Sequence, residues 1–194
     1  MMFHALNQRS SFLAKENLLD DIAVRLATVT DVPELLPLIR LVAESSGEAL
    51  PSEPDVARVV HLQIEDENHE YVVAEAEGHV VGCVLVCYSL SAWAGAPCAM
   101  FQDFIVDKRW RNRGAGSTML AYARDRARIK GCVRIDLSIH SSLESAKQFF
   151  RHWGFQRIDR EIMRLQVAPP NRQDNLYGNA LVGGDPKLTG KLQS

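Results

Sequence analysis

Residues 106–132 read VDKRWRNRGAGSTMLAYARDRARIKGC. An apolar run ends at Val106, a basic turn carries Gly114 and Gly116, and a helical pattern then runs to Lys130 and stops at Gly131. The reading of Arg111 to Gly116 decides the rest, because a phosphate cradle and an ordinary surface turn lead to different proteins. The N–H groups of a first helical turn have no internal partner and point at any anion placed before them. Glycine lets an oxygen approach the backbone closely, and arginine adds charge-assisted hydrogen bonds. Alone, R-x-x-G-x-G is a weak signal, and a plain helix cap followed by exposed arginines explains it equally well. Two better-defined phosphate motifs are excluded. Gly116-Ser117-Thr118 lacks the lysine and the preceding glycine of a P-loop, and Met119 stands where a dinucleotide fingerprint needs its third glycine.

Working outward, Ile22 to Leu26 reads as a short strand. Asp31 and Glu34 read as N-cap and capping-box partner of a helix carrying Leu35, Leu38, Ile39 and Val42, with Pro37 bending or shortening its first turn. A second helix spans Glu53 to Glu67. YVVAEAEGHVVGCVLVCYS, residues 71–89, predicts a hairpin turning at Glu77-Gly78. Cys98 to Val106 is a strand whose alternation puts Phe101, Asp103 and Ile105 on one face and Gln102, Phe104 and Val106 on the other. A helix begins near Ser117, and VRIDLSIH, residues 133–140, is the next strand. Ser141 to Glu144 caps a helix with an Ala146, Phe149, Phe150 and Trp153 stripe. REIMRLQV, residues 160–167, closes the pattern as a strand. The order β-α-α-β-β-β-α-β-α-β makes an α/β (α+β) fold with a mixed, mainly antiparallel central sheet flanked by helices, not a doubly wound parallel one. Residues 1–20 read as an N-terminal extension, 21–168 as the folded domain and 169–194 as a disordered tail.

Composition narrows the function classes. A formal net charge of −2 argues against a nucleic-acid binder, whose affinity would rest on a strongly basic face. No run approaches the ~20 apolar residues of a membrane span, and the N-terminus lacks a signal-peptide core. Cys83, Cys87, Cys98 and Cys132 form no C-x-x-C pair, so they read as reduced thiols in a cytoplasmic protein, with no metal site. Arg124, Arg126, Arg128 and Lys130 read as a solvated helix end, where cations are favoured.

The segment DFIVDKRWRNRGAGSTMLAYARDRA resembles the acetyl-CoA-binding motif of the GNAT N-acetyltransferase superfamily, an apolar strand followed by R/Q-x-x-G-x-G/A opening a helix. Three further segments are similar to the same family in the same order: VRLATVTDVPELLPLI, YVVAEAEGHVVGCVLV and SAKQFFRHWGF. Together they span about 22–167. The resemblance implies acetyl-CoA as acyl donor and an amine, of a small molecule or peptide, as acceptor. It implies that Arg111, Asn112, Arg113, Gly114, Ala115 and Gly116 cradle the pyrophosphate, with Ser117 beginning the helix. It further implies that main chain of Phe104, Ile105 and Val106 binds the pantetheine arm, and that the thioester lies in a splay between two central strands, from Ile105 to about Ser138. Family members are often homodimers, although no residue pattern here demonstrates one.

Acetyl transfer to an amine needs a base for the amine proton, a donor for the tetrahedral oxyanion and a fate for the leaving thiolate. Asp103, within an otherwise apolar strand, is the candidate base, with Glu75 as a weaker substitute. Backbone N–H of Ile105 or Val106 is the candidate oxyanion donor. The family's frequent acid, a tyrosine, aligns with Phe150, which has no hydroxyl and is left as cofactor wall. His140 is the candidate stand-in, or the thiolate departs unaided. The acceptor region is expected around Ala43–Pro54 and Tyr88–Pro97, with Trp93 and Tyr88 lining a pocket and Glu44, Glu48 and Glu53 attracting a cation. A non-catalytic acyl-CoA-binding or regulatory module is the competing reading, motivated by Phe150 and by Leu143, where the family commonly has asparagine.

Overall fold

The computed structural model describes residues 22–47 and 49–165; the expected N-terminal extension, the tail, and Glu48 lie outside them. The chain divides into two compact units, residues 1–148 and 149–194. The first contains β1 (Ala23–Leu26), α1 (Val32–Ser46), α2 (Glu53–Glu65), β2 (His69–Ala76), β3 (His79–Ser91), β4 (Ala96–Val106), α3 (Ala115–Ile129) and β5 (Ile135–Leu137). The helix α4 (Glu144–His152) crosses into the second unit. There Phe150 is buried, with Phe149 and Phe155 set edge-on to it.

The five strands lie in sequence order, β1-β2-β3-β4-β5, antiparallel except for the β4–β5 pair. The β2–β3 turn has φ of 54° at Glu77 and 77° at Gly78, the positive pair that lets a two-residue loop follow the strands' right-handed twist. On one sheet face, Leu35, Leu38 and Ile39 of α1 and Val60 of α2 pack on Tyr71, Val73, Cys83 and Leu85. The alternate residues Val72, Ala74, Val84 and Val86 are fully buried on the opposite face. The buried stripe of α3 is Ala115, Met119, Leu120, Ala123 and Ala127, at helical spacing. No described helix is long and apolar enough to cross a membrane.

Several local expectations change. The Asp31/Glu34 capping box does not form. Asp31 takes both outer nitrogens of Arg25, at 2.7 and 2.8 Å, and the Thr28 N–H, while Glu34 accepts the Val80 N–H at 2.7 Å. Glu34 is taken by a long-range partner on β3, whereas Asp31 serves Arg25 six residues away and closes a capping box with Thr28 instead. Pro37 sits inside α1, which still runs 15 residues. The C-terminal half of α3 is not wholly solvated either. Arg126 grips Glu70 of β2 with Nη2 and Nε at 2.5 and 3.0 Å, and the Tyr88 hydroxyl donates to the same carboxylate at 2.8 Å. Arg124 and Arg128 remain exposed. The strand expected over 133–140 shrinks to Ile135–Leu137. The closing strand does not appear in residues 160–165, whose Ile162, Met163 and Leu165 are exposed; residues 166–167 lie outside the described chain. An alternating pattern marks a segment able to pair, but only a hydrogen-bonded neighbour makes it a strand.

Candidate active site

The strand β4 carries an irregularity at Asp103. Gln102 stands opposite Leu85 and Ile105 opposite Cys83, so Asp103 and Phe104 together face the single residue Val84. This is a β-bulge, with Asp103 at φ 50° in the left-handed region. Aspartate is among the few non-glycine residues that enter this region readily. The bulge overturns the expected alternation. Phe101 pairs with Val86 and Ile105 with Cys83, and residues three apart on β3 point to opposite faces. Phe101 and Ile105 therefore lie on opposite faces of the sheet, not on one.

The parallel β4–β5 ladder covers Ala99↔Ile135, Met100↔Asp136 and Phe101↔Leu137, and stops there. The bulge follows two residues later, and a bulge bends its strand. From Gln102 to Val106, β4 is laddered on its β3 side while β5 has ended. Pairing between β4 and β5 thus ends at Phe101/Leu137, before both Ile105 and Ser138, the expected bounds of the opening. Asp107 N–H donates to Val81 O at 2.8 Å, which makes Val81/Asp107 and Cys83/Ile105 the hydrogen-bonding pairs of the antiparallel alternation. The peptide groups of Ile105 accordingly point to β3. Those of Phe104 and Val106 point to the β5 side, which narrows the main-chain candidates to these two.

The turn after β4 is fixed by its own contacts. The Asp107 carboxylate accepts the Arg109 N–H at 2.8 Å, and Trp110 N–H closes on Asp107 O at 2.9 Å. Arg111 Nε donates to Val106 O at 2.9 Å, folding its guanidinium onto the end of β4. Arg113 stacks over the Trp110 ring at 5.1 Å. Asn112 and Gly114 take positive φ, 60° and 96°. Gly114 is the N-cap of α3 and no side chain caps the helix; Thr118 N–H closes the first turn on Gly114 O at 3.0 Å. The helix begins at Ala115, two residues before Ser117. The N–H groups of Ala115, Gly116 and Ser117 are those an α-helix leaves without intrahelical acceptors, at its positive end. Free N–H groups at a helix start of small residues can receive an anion, and Arg111 and Arg113 belong to the same turn.

Asp103 is half-buried, and burial alone pushes its carboxyl above the usual range. Its neighbours are other weakly acidic groups. Cys83 Sγ lies 3.7 Å from Asp103 O, and burial together with the Asp103 charge raises the Tyr71 hydroxyl and the Cys83 thiol and pushes the Cys87 thiol up to about 11. A carboxyl held ready to take a proton is what a general base requires. Glu75 does not share this position. It is bonded to Arg25 Nε at 3.0 Å, on a strand separated from β4 by β3. His140 is exposed, three residues beyond the end of β5, with Nδ1 and Ser142 Oγ 2.8 Å apart. Phe150 is in the second unit.

The expected acceptor region does not form one pocket. A groove of about 240 Å³ lies between α1 and α2, lined by Leu36, Arg40, Glu44, Leu50, Pro51 and Glu53 among others. Its lining includes no residue of β4, β5 or α3, and Leu36, Arg40 and Glu44 lie on the side of α1 away from Leu35, Leu38 and Ile39. Glu53 is already paired with Arg40 at 2.8 Å. The Tyr88 hydroxyl is spent on Glu70, and Trp93 is 81% exposed beneath Arg134 at 5.6 Å. Sequence reasoning missed the bulge and also Gly82, whose only signal was a glycine inside a β-branched run.

A model of the Acetyltransferase (GNAT) family matches residues 36–155, more than half of the chain. The amino-acid acetyltransferase of Pasteurella multocida is 27% identical over 134 residues, covering 69% of this chain and 27% of that protein; the chain thus spans about a quarter of this curated relative's length. The fold is similar to the structure of a possible acetyltransferase from Clostridium difficile, with TM-score 0.67, 20% identity and coverage of 76% and 99% of the two chains. It is also similar to a transcriptional regulator from Bacillus halodurans, with TM-score 0.63, 23% identity and coverage of 75% and 99%.

Proposed function

Because this chain belongs to the Acetyltransferase (GNAT) family, we propose that it transfers acetyl from acetyl-CoA to a primary amine by direct attack. The observation that carries this reading is one strand feeding two parts of a site. The bulge at Asp103 adjoins the point where β5 leaves β4, and the same strand runs on into the uncapped start of α3. The N–H groups of Ala115, Gly116 and Ser117, with Arg111 and Arg113, would hold the pyrophosphate, while Asn112 and Gly114 shape the turn. Peptide groups of Phe104 and Val106 would hold the pantetheine arm. Acetyl-CoA supplies an activated acyl group, a thioester whose sulfur is a fair leaving group.

The chain's own residues then do three things. Asp103 accepts the amine proton, directly or through a water, as nitrogen bonds to the acyl carbon. The Val106 N–H meets the developing oxyanion. The carbon–sulfur bond breaks, giving the amide and a thiolate, for which His140 is the candidate proton donor. Acceptor identity is left at the level of a primary amine of a small molecule or peptide. A reducing cytoplasm fits the reading, since Cys83, Cys87, Cys98 and Cys132 are all free thiols.

Thiol release from acetyl-CoA across polyamines, aminoglycosides, amino acids and peptides tests this reading. Turnover with at least one class is expected. His140→Gln should lower kcat at unchanged KM; an unchanged kcat means that the thiolate leaves unaided. Binding of acetyl-CoA without turnover on the whole panel would favour the second reading, an acyl-CoA-binding regulatory module. Phe150 in place of a tyrosine, and the fold shared with a protein named as a transcriptional regulator, support that alternative.

A further inference from the structure

Gly82 stands in the middle of β3 between the buried Val81 and Cys83, paired with Ala74 on β2 and Val106 on β4. Its φ is not in the left-handed region, so the backbone does not demand glycine there. What the position uses is the missing side chain. A Cβ would come 2.9 Å from the carbonyl oxygen of Ile105, 3.2 Å from Met119 Cε and 3.3 Å from Val106 Cγ2. The first of these is backbone and cannot rotate away.

These three atoms belong to the end of β4 and to α3 one turn after its start. Residue 82 therefore touches both elements that the acyl-CoA reading uses, the strand end for the arm and the helix start for the pyrophosphate. We propose that Gly82 is a positioning residue, a notch that lets Met119 and Val106 close over β3 and so sets the distance between the two halves of the cofactor site. The inference rests on the acyl-CoA reading of that site. One methyl group at 82 displaces the Ile105 peptide and lifts Met119 together, changing the spacing of the halves without removing any contact group from either.

A ligand that spans both halves feels such a change, whereas a ligand confined to one half does not. The test is calorimetric titration of wild type and Gly82→Ala with CoA and with adenosine 3′-phosphate 5′-diphosphate, the CoA fragment that ends at the pyrophosphate. The expected result is an about tenfold weaker Kd for CoA with the fragment's Kd changed less than about twofold. Equal weakening of both ligands, or no change in either, overturns the inference. Should Gly82→Ala fail to fold, Met119→Ala opens the same notch from the helix side and takes the same two titrations, with the same criteria. Wild-type protein that binds neither ligand overturns the acyl-CoA reading itself, a result distinct from failure of the Gly82 proposal.

Discussion

Asp103 holds two unusual conditions at one residue: a left-handed backbone and a carboxyl pushed above its usual range by burial. They make different predictions for different substitutions. Asparagine enters the left-handed region as readily as aspartate, so Asp103→Asn keeps the bulge and removes only the ionisable carboxyl proposed as the base. The sign of its stability effect follows from the raised pKa. A folded-state pKa above the unfolded value means that the ionised carboxylate costs stability at neutral pH, and that this cost disappears as pH falls below the unfolded value near 3.8. Asp103→Asn should therefore match or exceed the wild-type Tm at pH 7 while losing about a hundredfold or more in kcat/KM. Asp103→Ala should lose about 1 kcal/mol, because alanine pays the left-handed penalty. Thermal melts beside thiol-release kinetics check both, and an Asp103→Asn enzyme of normal rate would remove the base assignment. In the wild type, kcat/KM should rise with pH through a carboxyl pKa above the ordinary one.

Among the elements, α3 is held at both ends by different means. Its start is fixed by the Gly114 turn and by Met119 against β3, and its far end by Arg126 on Glu70. Burial works against an ionised Glu70, but Arg126, Tyr88 and Lys130 hold its carboxyl below the usual range. Removing Arg126 alone would leave a largely buried carboxylate with Lys130 as its nearest cation, at 3.8 Å. Arg126→Met should cost about 2 kcal/mol, and adding Glu70→Gln should recover about half or more of it, since the pair's loss costs less than an orphaned charge. Urea denaturation of the two single variants and the double variant measures this coupling. The bulge in β4 and the short β5 were illegible at this level. Both depend on how two strands pair, and Asp103 reads as an ordinary strand residue until its partner Val84 is known.

At the scale of the whole molecule, one contribution to stability against acid comes from a pair outside the site. The Arg25 guanidinium, bonded to both oxygens of Asp31, lowers that carboxyl to about 2. A depressed pKa contributes stability that is fully present above the unfolded value near 3.8 and is lost as pH falls through about 2. Arg25 is partly exposed, which reduces the contribution to about 1–2 kcal/mol. Melting temperature should be flat in this respect above pH 5 and fall between pH 4 and 2, and Asp31→Asn should remove that segment of the fall while lowering Tm at pH 7.

The sequence by itself determined the order of elements from β1 to α4, the Glu77-Gly78 turn, a helix opening out of the glycine turn, though two residues later than it does, and the family resemblance, which the match over residues 36–155 bears out. Each of these rests on local signals, namely periodicity, turn chemistry and motif spacing, which act over a few residues. Only the tertiary structure decided that Phe101 and Ile105 face opposite ways, that Glu34 and Arg126 serve distant partners, that the β4–β5 ladder ends at Phe101, and that Gly82 leaves a gap filled by another element. These depend on which groups meet across the fold. A buried charge or carbonyl takes the strongest partner that packing brings within reach, and sequence spacing does not contain that partner's position.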